Sequence, residues 1–445
     1  MARSIHTDSD MTEGSISRHL LEFSVPMMIG LLFQQLYNTV DTLVVGNFVS
    51  KEAQAAVGST GSIINTVVGF CAGLATGASV IISQRYGAHD EQGLRKAVHT
   101  TIAVTFLLSI IATVAGLLII DPMLRFMQTP ADVWEVARLY LTIYFFGVSG
   151  ILFYNMGSGV LRAVGDSRRP FYFLVVSAVL NIGLDLLFVF VFDMGVAGVA
   201  LATVISQCVS AVLTLITLLR SGTCVRLILR DLRIDNEILK KIVKVGIPAA
   251  LQMAITAFSN VFVQGYIAGV NADQTACLGG WTSYSKIDQF IFLPMQSLAL
   301  AATTFVGQNL GVGDIKRAKQ GTYLTYGIAT GGTLLLIGPV MLFAPQLAAI
   351  FNPDETVVKY ATLLLRHLTP FYLFCCVNQV FSGALRGAGN ARAPMYIMLA
   401  SFVGFRQLYL YVMTHYIANE ILPVALGYPA GWILCAICTL LYYFH

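Results

Sequence analysis

Twelve apolar stretches, each long enough to cross a bilayer, follow one another along the 445 residues of this chain. They fall near 18–46, 54–83, 95–120, 132–156, 170–192 and 196–220, and again near 237–268, 274–307, 318–344, 356–385, 393–415 and 417–443. A helix that is apolar all round is stable only where lipid or other helices surround it, so few water-soluble folds are open to such a pattern. Composition agrees. Only 11% of residues are charged, against about 25% in an ordinary soluble domain. The chain reads as an all-α, polytopic membrane protein. The stretch 221–236, SGTCVRLILRDLRIDN, alternates charged and apolar residues and reads as an amphipathic connector on the membrane surface. The opening MARSIHTDSDMTEGS is polar, so no cleavable signal peptide is expected.

Basic residues give an orientation. With the N-terminus inside, twenty Lys and Arg fall on the inner side, among them Arg18, Arg85, Arg162, Arg168, Arg169, Lys240, Arg317 and Arg392. Only Lys51, Arg125, Arg138 and Lys359 fall outside. Under the positive-inside rule both termini are expected in the cytoplasm, with the chain in the inner (plasma) membrane.

The two halves echo each other. LRAVGDSRRP at 161–170 returns as LRGAGNARAP at 385–394, and SQRYGAHD at 83–90 as GQNLGVGD at 307–314, both at an offset of 224. Pro26 pairs with Pro248 and Asn38 with Asn260 at 222. Six spans per half make this a parallel repeat, an arrangement found in transporters that bind substrate between their halves. The expected division is an N-lobe over 1–220, the connector over 221–236 and a C-lobe over 237–445.

Asp41 lies inside the first apolar stretch, where a charge costs about 2.5–3.5 kcal/mol on insertion scales. Gln34, Tyr37, Asn38 and Asp41 recur at helical spacing and share one face, which must look onto a cavity or another helix. Pro26 removes a backbone hydrogen bond upstream and can bend that helix. Asn181 and Asp185 share a face of the fifth span. At a rise of about 1.5 Å per residue, Asp41 and Asp185 lie roughly 8 and 12 Å below the outer end, and Thr203 enters to a similar depth. Two carboxylates, an amide and a hydroxyl in one layer are hard oxygen ligands, suited to a hard cation or a proton. In the second half Val263, Phe405 and Tyr409 occupy the places of Asp41, Asn181 and Asp185, so ion coupling is expected in the N-lobe alone.

The run Pro26…Gln34-Gln35-x-Tyr37-Asn38…Asp41 resembles the first helix of the multidrug and toxic compound extrusion (MATE) transporters. So do the LRAVGDSRRP loop, the NIGLD…GVAGVALATV stretch at 181–204 and the twelve-span layout, with details most similar to the bacterial DinF-like branch. The resemblance implies two six-helix lobes in a V and export of organic, mostly cationic compounds in exchange for Na⁺ or H⁺. It implies no cofactor, no nucleic-acid partner and a monomer. It assigns Asp41, Asn181, Asp185 and Thr203 to the cation site, and Pro26, Gln34, Tyr37 and Asn155 to the neighbouring cavity wall. Other branches carry extra acids in the C-lobe; the membrane interiors of helices seven and ten here have none.

Some residues stay open. Lys286 and Asp288, two apart on the eighth span, do not face each other, so they line the cavity or pair with other helices. Arg366 and Arg406 lie within spans. Together with Lys286 they keep a lipid-linked sugar flippase, which must bind pyrophosphate, as the alternative reading. An intramembrane aspartyl protease is disfavoured by the text GLDLL in place of GxGD, and an ATP-driven pump by the lack of GxxxxGK[ST]. The chain is not expected to be an enzyme. Cys71, Cys208, Cys375 and Cys435 sit in apolar segments, and the Cys435/Cys438 pair reads as packing rather than redox or metal chemistry. His367 reads as a structural hydrogen-bonder.

Overall fold

The computed structural model describes residues 10–49, 51–126, 129–270 and 274–445; residues 1–9, Arg3 among them, lie outside the described residues. The helices of the first half are α1 (Ile16–Phe48), α2 (Lys51–Gly87), α3 (Glu91–Phe126), α4 (Ala131–Phe146), α5 (Val148–Ala163), α6 (Arg168–Leu186) and α7 (Gly195–Arg220). Those of the second are α8 (Asn236–Ala268), α9 (Gln274–Val312), α10 (Ile315–Leu342), α11 (Ala344–Phe351), α12 (Glu355–Leu368), α13 (Tyr372–Gly387), α14 (Arg392–Met398), α15 (Arg406–Val412), α16 (Ile421–Ala425) and α17 (Gly427–Phe444). Among the described residues eleven helical runs are long and apolar enough to cross a membrane, and the bent pair α4–α5, taken as one span, makes a twelfth.

These sequences form helices because a spanning segment must satisfy its backbone internally. Polar residues on them obey the same rule: Thr101, Thr105 and Ser109 each donate to the carbonyl four residues back, at 2.7, 2.7 and 2.8 Å. The outer surface is apolar, with Phe106, Ile110, Val114 and Leu118 exposed along α3. Among the described residues no disulfide is present. His367 is exposed, and its Nδ1 lies 2.7 Å from the Leu363 carbonyl.

Several stretches differ from the plain helices the sequence suggests; the tenth span is interrupted at Thr369–Phe371 and the twelfth divides between Ala425 and Gly427. The expected helix over 132–156 is two helices, meeting at Gly147 with a 45° bend and continuing to Ala163. A side chain at 147 would place its Cβ 2.3 Å from Val204 of α7, so this close approach needs glycine, a weak helix former. The fifth span turns π-helical over Leu187–Val191, directly after Asp185. The eleventh has two such segments, Leu399–Phe405 and Met413–Ile417. Inserted π turns re-aim the side chains around them and concentrate at functional sites.

The repeat is visible in the backbone. Gly165 and Gly389 end equivalent helices at φ 87° and 85°. His89 and Gly313 occupy equivalent turns at φ 52° and 90°. In the first of these turns the Gly93 amide (2.8 Å) and the Arg85 guanidinium hold the Asp90 carboxyl below its ordinary range.

The two sets of six spans meet at the face where α1 begins and α17 ends, called the terminal face below. There Gln84 of α2 donates to the Gly387 carbonyl at 2.9 Å, and Gln308 of α9 donates to the Ala163 carbonyl at 2.9 Å. Each glutamine thus caps the last carbonyls of a helix in the opposite lobe. α2 and α9 cross so closely that a Cβ on Gly87 would sit 1.9 Å from the Gln308 carbonyl oxygen, and one on Gly311 2.2 Å from that of Gln84. Deeper in, the Gln35 side chain of α1 donates to that of Gln289 on α9. The segment 221–235 runs over the end of α3: the Ile228 amide donates to His99 and the Asp235 amide to Thr100, both at 3.0 Å, and Arg95 pairs with Asp231. Leu229, Leu232 and Ile234 are exposed along it.

Candidate functional site

In the first half of the chain four helices converge on one buried polar layer. α1 supplies Asp41 and, one turn earlier, Tyr37; α6 supplies Asn181 and Asp185; α7 supplies Thr203 and Gln207; α4 brings Tyr140. Asn181 and Asp185 are fully buried, and Asp41 is 8% exposed. The Thr203 hydroxyl donates toward Asp41 Oδ2 at 3.4 Å, and Asn181 Nδ2 donates to Thr203 at 3.5 Å. Both contacts are at the long limit of a hydrogen bond. Gln207 Nε2 donates to the Tyr37 hydroxyl at 3.1 Å, which steadies α1 against α7.

The acceptors of the layer outnumber its donors. Asp41 Oδ1, Asn181 Oδ1 and both Asp185 oxygens are buried without a hydrogen-bond partner. The Asp41 and Asp185 carboxyls face each other within interaction range, with Tyr140 beside them. Two facing carboxylates in a water-poor layer cannot both stay ionised without a proton or cation between them. Each unmet buried acceptor costs on the order of 1–3 kcal/mol, more when charged. The arrangement is chemically a hard-oxygen cradle.

The expected cavity-wall residues scatter more widely. Gln34 is half-buried, Tyr37 buried and Asn38 exposed. Pro26 lies inside α1, which runs unbroken through it. Asn155 lies on α5 and donates to the Ile151 carbonyl of its own helix at 2.9 Å, so the contacts described for it are within α5. Among the described residues neither Lys286 nor Asp288 forms an ion pair: Asp288 accepts from the Tyr372 hydroxyl, which also meets Tyr284 at 3.2 Å, and Lys286 is half-buried. Arg366 is exposed in the last turn of α12.

Arg406 has an unexpected setting. It is 1% exposed, with its guanidinium 4.4 Å from the ring centres of both Phe402 and Tyr428, and it donates to Asn260 Oδ1 at 3.2 Å. Asn260 is the repeat partner of Asn38, and Arg406 lies next to Phe405, the partner of Asn181. Where the first half of the chain presents acids, the second half therefore carries its own built-in cation. Val263 is fully buried, and Tyr409 donates to the Pro423 carbonyl at 3.1 Å.

Sequence reasoning missed Tyr140, Gln207 and the Arg406 cage. Gln207 follows Thr203 by four residues and shares its face, a signal open to the same stripe argument. Tyr140 sits in the aromatic-rich YLTIYFF, where nothing marks one ring over the next.

A family model, MatE, matches the chain twice, over residues 26–187 and 248–412. The chain belongs to the MatE family. The two matches begin 222 residues apart, the offset that links Pro26 to Pro248. A MatE protein is a membrane transporter and not an enzyme. This one is 30% identical to the probable multidrug resistance protein YoeA of Bacillus subtilis (strain 168), over 96% of this chain and 94% of that one. An outward-facing multidrug resistance MATE family transporter of the MOP superfamily superposes with a TM-score of 0.92 at 27% identity, covering 98% of this chain and 97% of the other. A MOP superfamily transporter from Pyrococcus furiosus, described as having a binding pocket of reverse polarity, also gives 0.92, at 28% identity and with 98% and 96% covered.

Proposed function

We propose that this chain is a secondary active antiporter of the plasma membrane, exporting organic, mostly cationic compounds in exchange for Na⁺ or H⁺ by alternating access. The observation that carries the reading is the set of four unpartnered buried oxygens on Asp41, Asn181 and Asp185. A cation or proton in that cradle ties α1 to α6 and α7. Its loss leaves two facing carboxylates to repel, and α1 is the helix that can yield, since Pro26 interrupts its hydrogen bonding. α1 also carries Gln34, Tyr37 and Asn38, so its displacement alters the wall that meets substrate. Aromatic and amide groups such as Tyr37, Gln34 and Asn155 suit lipophilic cations. The coupling ion acts in the N-lobe alone, because Arg406 already fills the corresponding region of the C-lobe.

In this reading the N-lobe spans 1–220 and the C-lobe 237–445, and the connector 221–236 lies on the inner membrane surface with Leu229, Leu232 and Ile234 toward lipid. The terminal face is cytoplasmic in this reading, which the distribution of basic residues supports. The sealed conformation is outward-facing, in keeping with its likeness to the outward-facing relative. The protein works as a monomer without a cofactor. The name of the Bacillus relative supports multidrug export.

The alternative, a flippase for pyrophosphate-linked lipids, needs cations in the cleft. Arg406 is enclosed by rings and Arg366 stands exposed at a helix end, which leaves only Lys286. The deciding experiment is efflux of a fluorescent lipophilic cation from proteoliposomes under Na⁺ and H⁺ gradients imposed separately. Efflux driven by one of them is expected; efflux indifferent to both, or movement of anionic lipid alone, would overturn the reading.

A further inference from the structure

The segment before α1 is built into the gate of the opposite lobe. Met11 is fully buried, packed with Leu20, Phe23 and Met27 of α1 and with Ala301 and Phe305 of α9. Its backbone amide donates to Gln308 Oε1 at 3.0 Å. Its carbonyl accepts from Asn309 Nδ2 at 3.3 Å and from Arg317 Nη2 at 3.2 Å. Arg317 Nη2 also donates to the carbonyls of Glu13 and Gly14, both at 2.9 Å. A guanidinium that could pair with an acid is here committed to three backbone carbonyls, the geometry of a clamp on a chain.

Gln308 is what makes this clamp more than an anchor. The same side chain that accepts from Met11 donates through Nε2 to Ala163 of the N-lobe. With its oxygen held by Met11, the amide is fixed with its nitrogen toward Ala163. Swinging it away would leave a buried Met11 amide without an acceptor, which is costly. The repeat supplies the comparison. Gln84 makes the matching bond to Gly387, but the segment before α8 docks on α3 through His99 and Thr100, away from Gln84. Only one of the two gate glutamines is strapped.

We propose that residues 10–14 are a latch on the terminal-face gate: docking of Met11, positioned by Arg317, holds Gln308 on Ala163 and keeps that face shut. The latch continues directly into α1, which carries Asp41 about 37 Å further along at 1.5 Å per residue. One helix therefore joins the cation cradle to the gate, and a shift of α1 at Asp41 is felt at Met11. The inference rests on the alternating-access reading above.

The test is pulsed dipolar spectroscopy on the full-length protein in nanodiscs, with spin labels at Arg168→Cys and Lys319→Cys, exposed positions of opposite lobes on the terminal face. Native cysteines that react with the label are first replaced. Met11→Pro deletes the amide donor while staying apolar, Arg317→Ala removes the clamp, and Met11→Leu keeps both and serves as the rescue. Gln308→Ala breaks the gate bond itself. The latch predicts one short distance for the parent and Met11→Leu, and at least a tenfold higher ratio of open to closed in Met11→Pro and Arg317→Ala at nearly unchanged melting temperature. If Gln308→Ala opens the face and the other two leave it shut, the latch is wrong and the gate stands. If no variant opens the face at any Na⁺ concentration or pH, alternating access at this face falls and the latch with it.

Discussion

The Thr203 hydroxyl stands 3.4 Å from Asp41 Oδ2 and 3.1 Å from the carbonyl of Val199, with a single proton to give to either. Turned to Asp41, it is a donor to the acid. Turned to Val199, it leaves a lone pair beyond the one that meets Asn181 and, in the proposed cradle, serves as a cation ligand. Thr203→Val abolishes both states and Thr203→Ser keeps both. The valine variant is expected to bind Na⁺ roughly tenfold more weakly, the equivalent of a contact of about 1–1.5 kcal/mol. The readout is the Na⁺-dependent shift in melting temperature of the purified protein. An identical titration in Thr203→Val would remove the hydroxyl from the site.

Asp41→Asn and Asp185→Asn keep side-chain size but replace a titratable charge with an amide that is cheaper inside a membrane. Each should abolish gradient-driven efflux while expression and melting temperature stay close to the parent. The C-lobe positions supply the control: Val263→Ala and Tyr409→Phe should leave the number of counter-ions per drug molecule unchanged. Tyr409→Phe loses the bond to Pro423, worth about 1 kcal/mol, so stability falls while coupling does not. Wild-type stoichiometry in the double Asn variant would take the N-lobe acids out of the mechanism.

Arg406 separates volume from charge. Arg406→Ala empties the space between Phe402 and Tyr428 and should cost about 2–5 kcal/mol, as large-to-small core changes do. Arg406→Met fills most of that space and removes a charge that no carboxylate among the described residues balances, so a loss below about 1.5 kcal/mol is expected. Thermal unfolding in one detergent compares the two. Equal losses would mean that the charge, and not the packing, holds the C-lobe core.

A methyl group at Gly311 would meet the Gln84 carbonyl oxygen at 2.2 Å, and one at Gly87 the Gln308 oxygen at 1.9 Å. Either Ala variant should force the lobes apart at the terminal face. A cysteine at Ala163, fully buried in the parent, should then react with a membrane-impermeant maleimide. Gly327→Ala, which points into open space, is the matched control and should leave that cysteine protected.

The spans and the repeat were legible because a bilayer demands long apolar runs and a duplication leaves its offset in the text. Asp41, Asn181, Asp185 and Thr203 stood out for the converse reason, as polar groups where lipid penalises them. The break at Gly147 was not legible: what forbids a side chain there is Val204, far along the chain and ordinary in itself. Nor was the gate. Gln84 and Gln308 were visible as repeat markers, but their partners are backbone carbonyls, which every residue has and no residue type announces. Lys286 and Asp288 show the limit from the other side. Charges in spans invite pairing, yet Asp288 is answered by a tyrosine hydroxyl.

Gln84 reaching Gly387 while Gln308 reaches Ala163 is contact i-to-j answered by j-to-i, the pattern of an isologous interface about a twofold axis. A chain of half this length could make the same seam with a second copy of itself. Joined in one chain the halves need not match elsewhere: one carries acids, the other an arginine, and a single lead-in segment rests on one side of the seam. In its two reciprocal glutamine contacts the seam keeps the pattern of a twofold axis, whatever the halves do elsewhere.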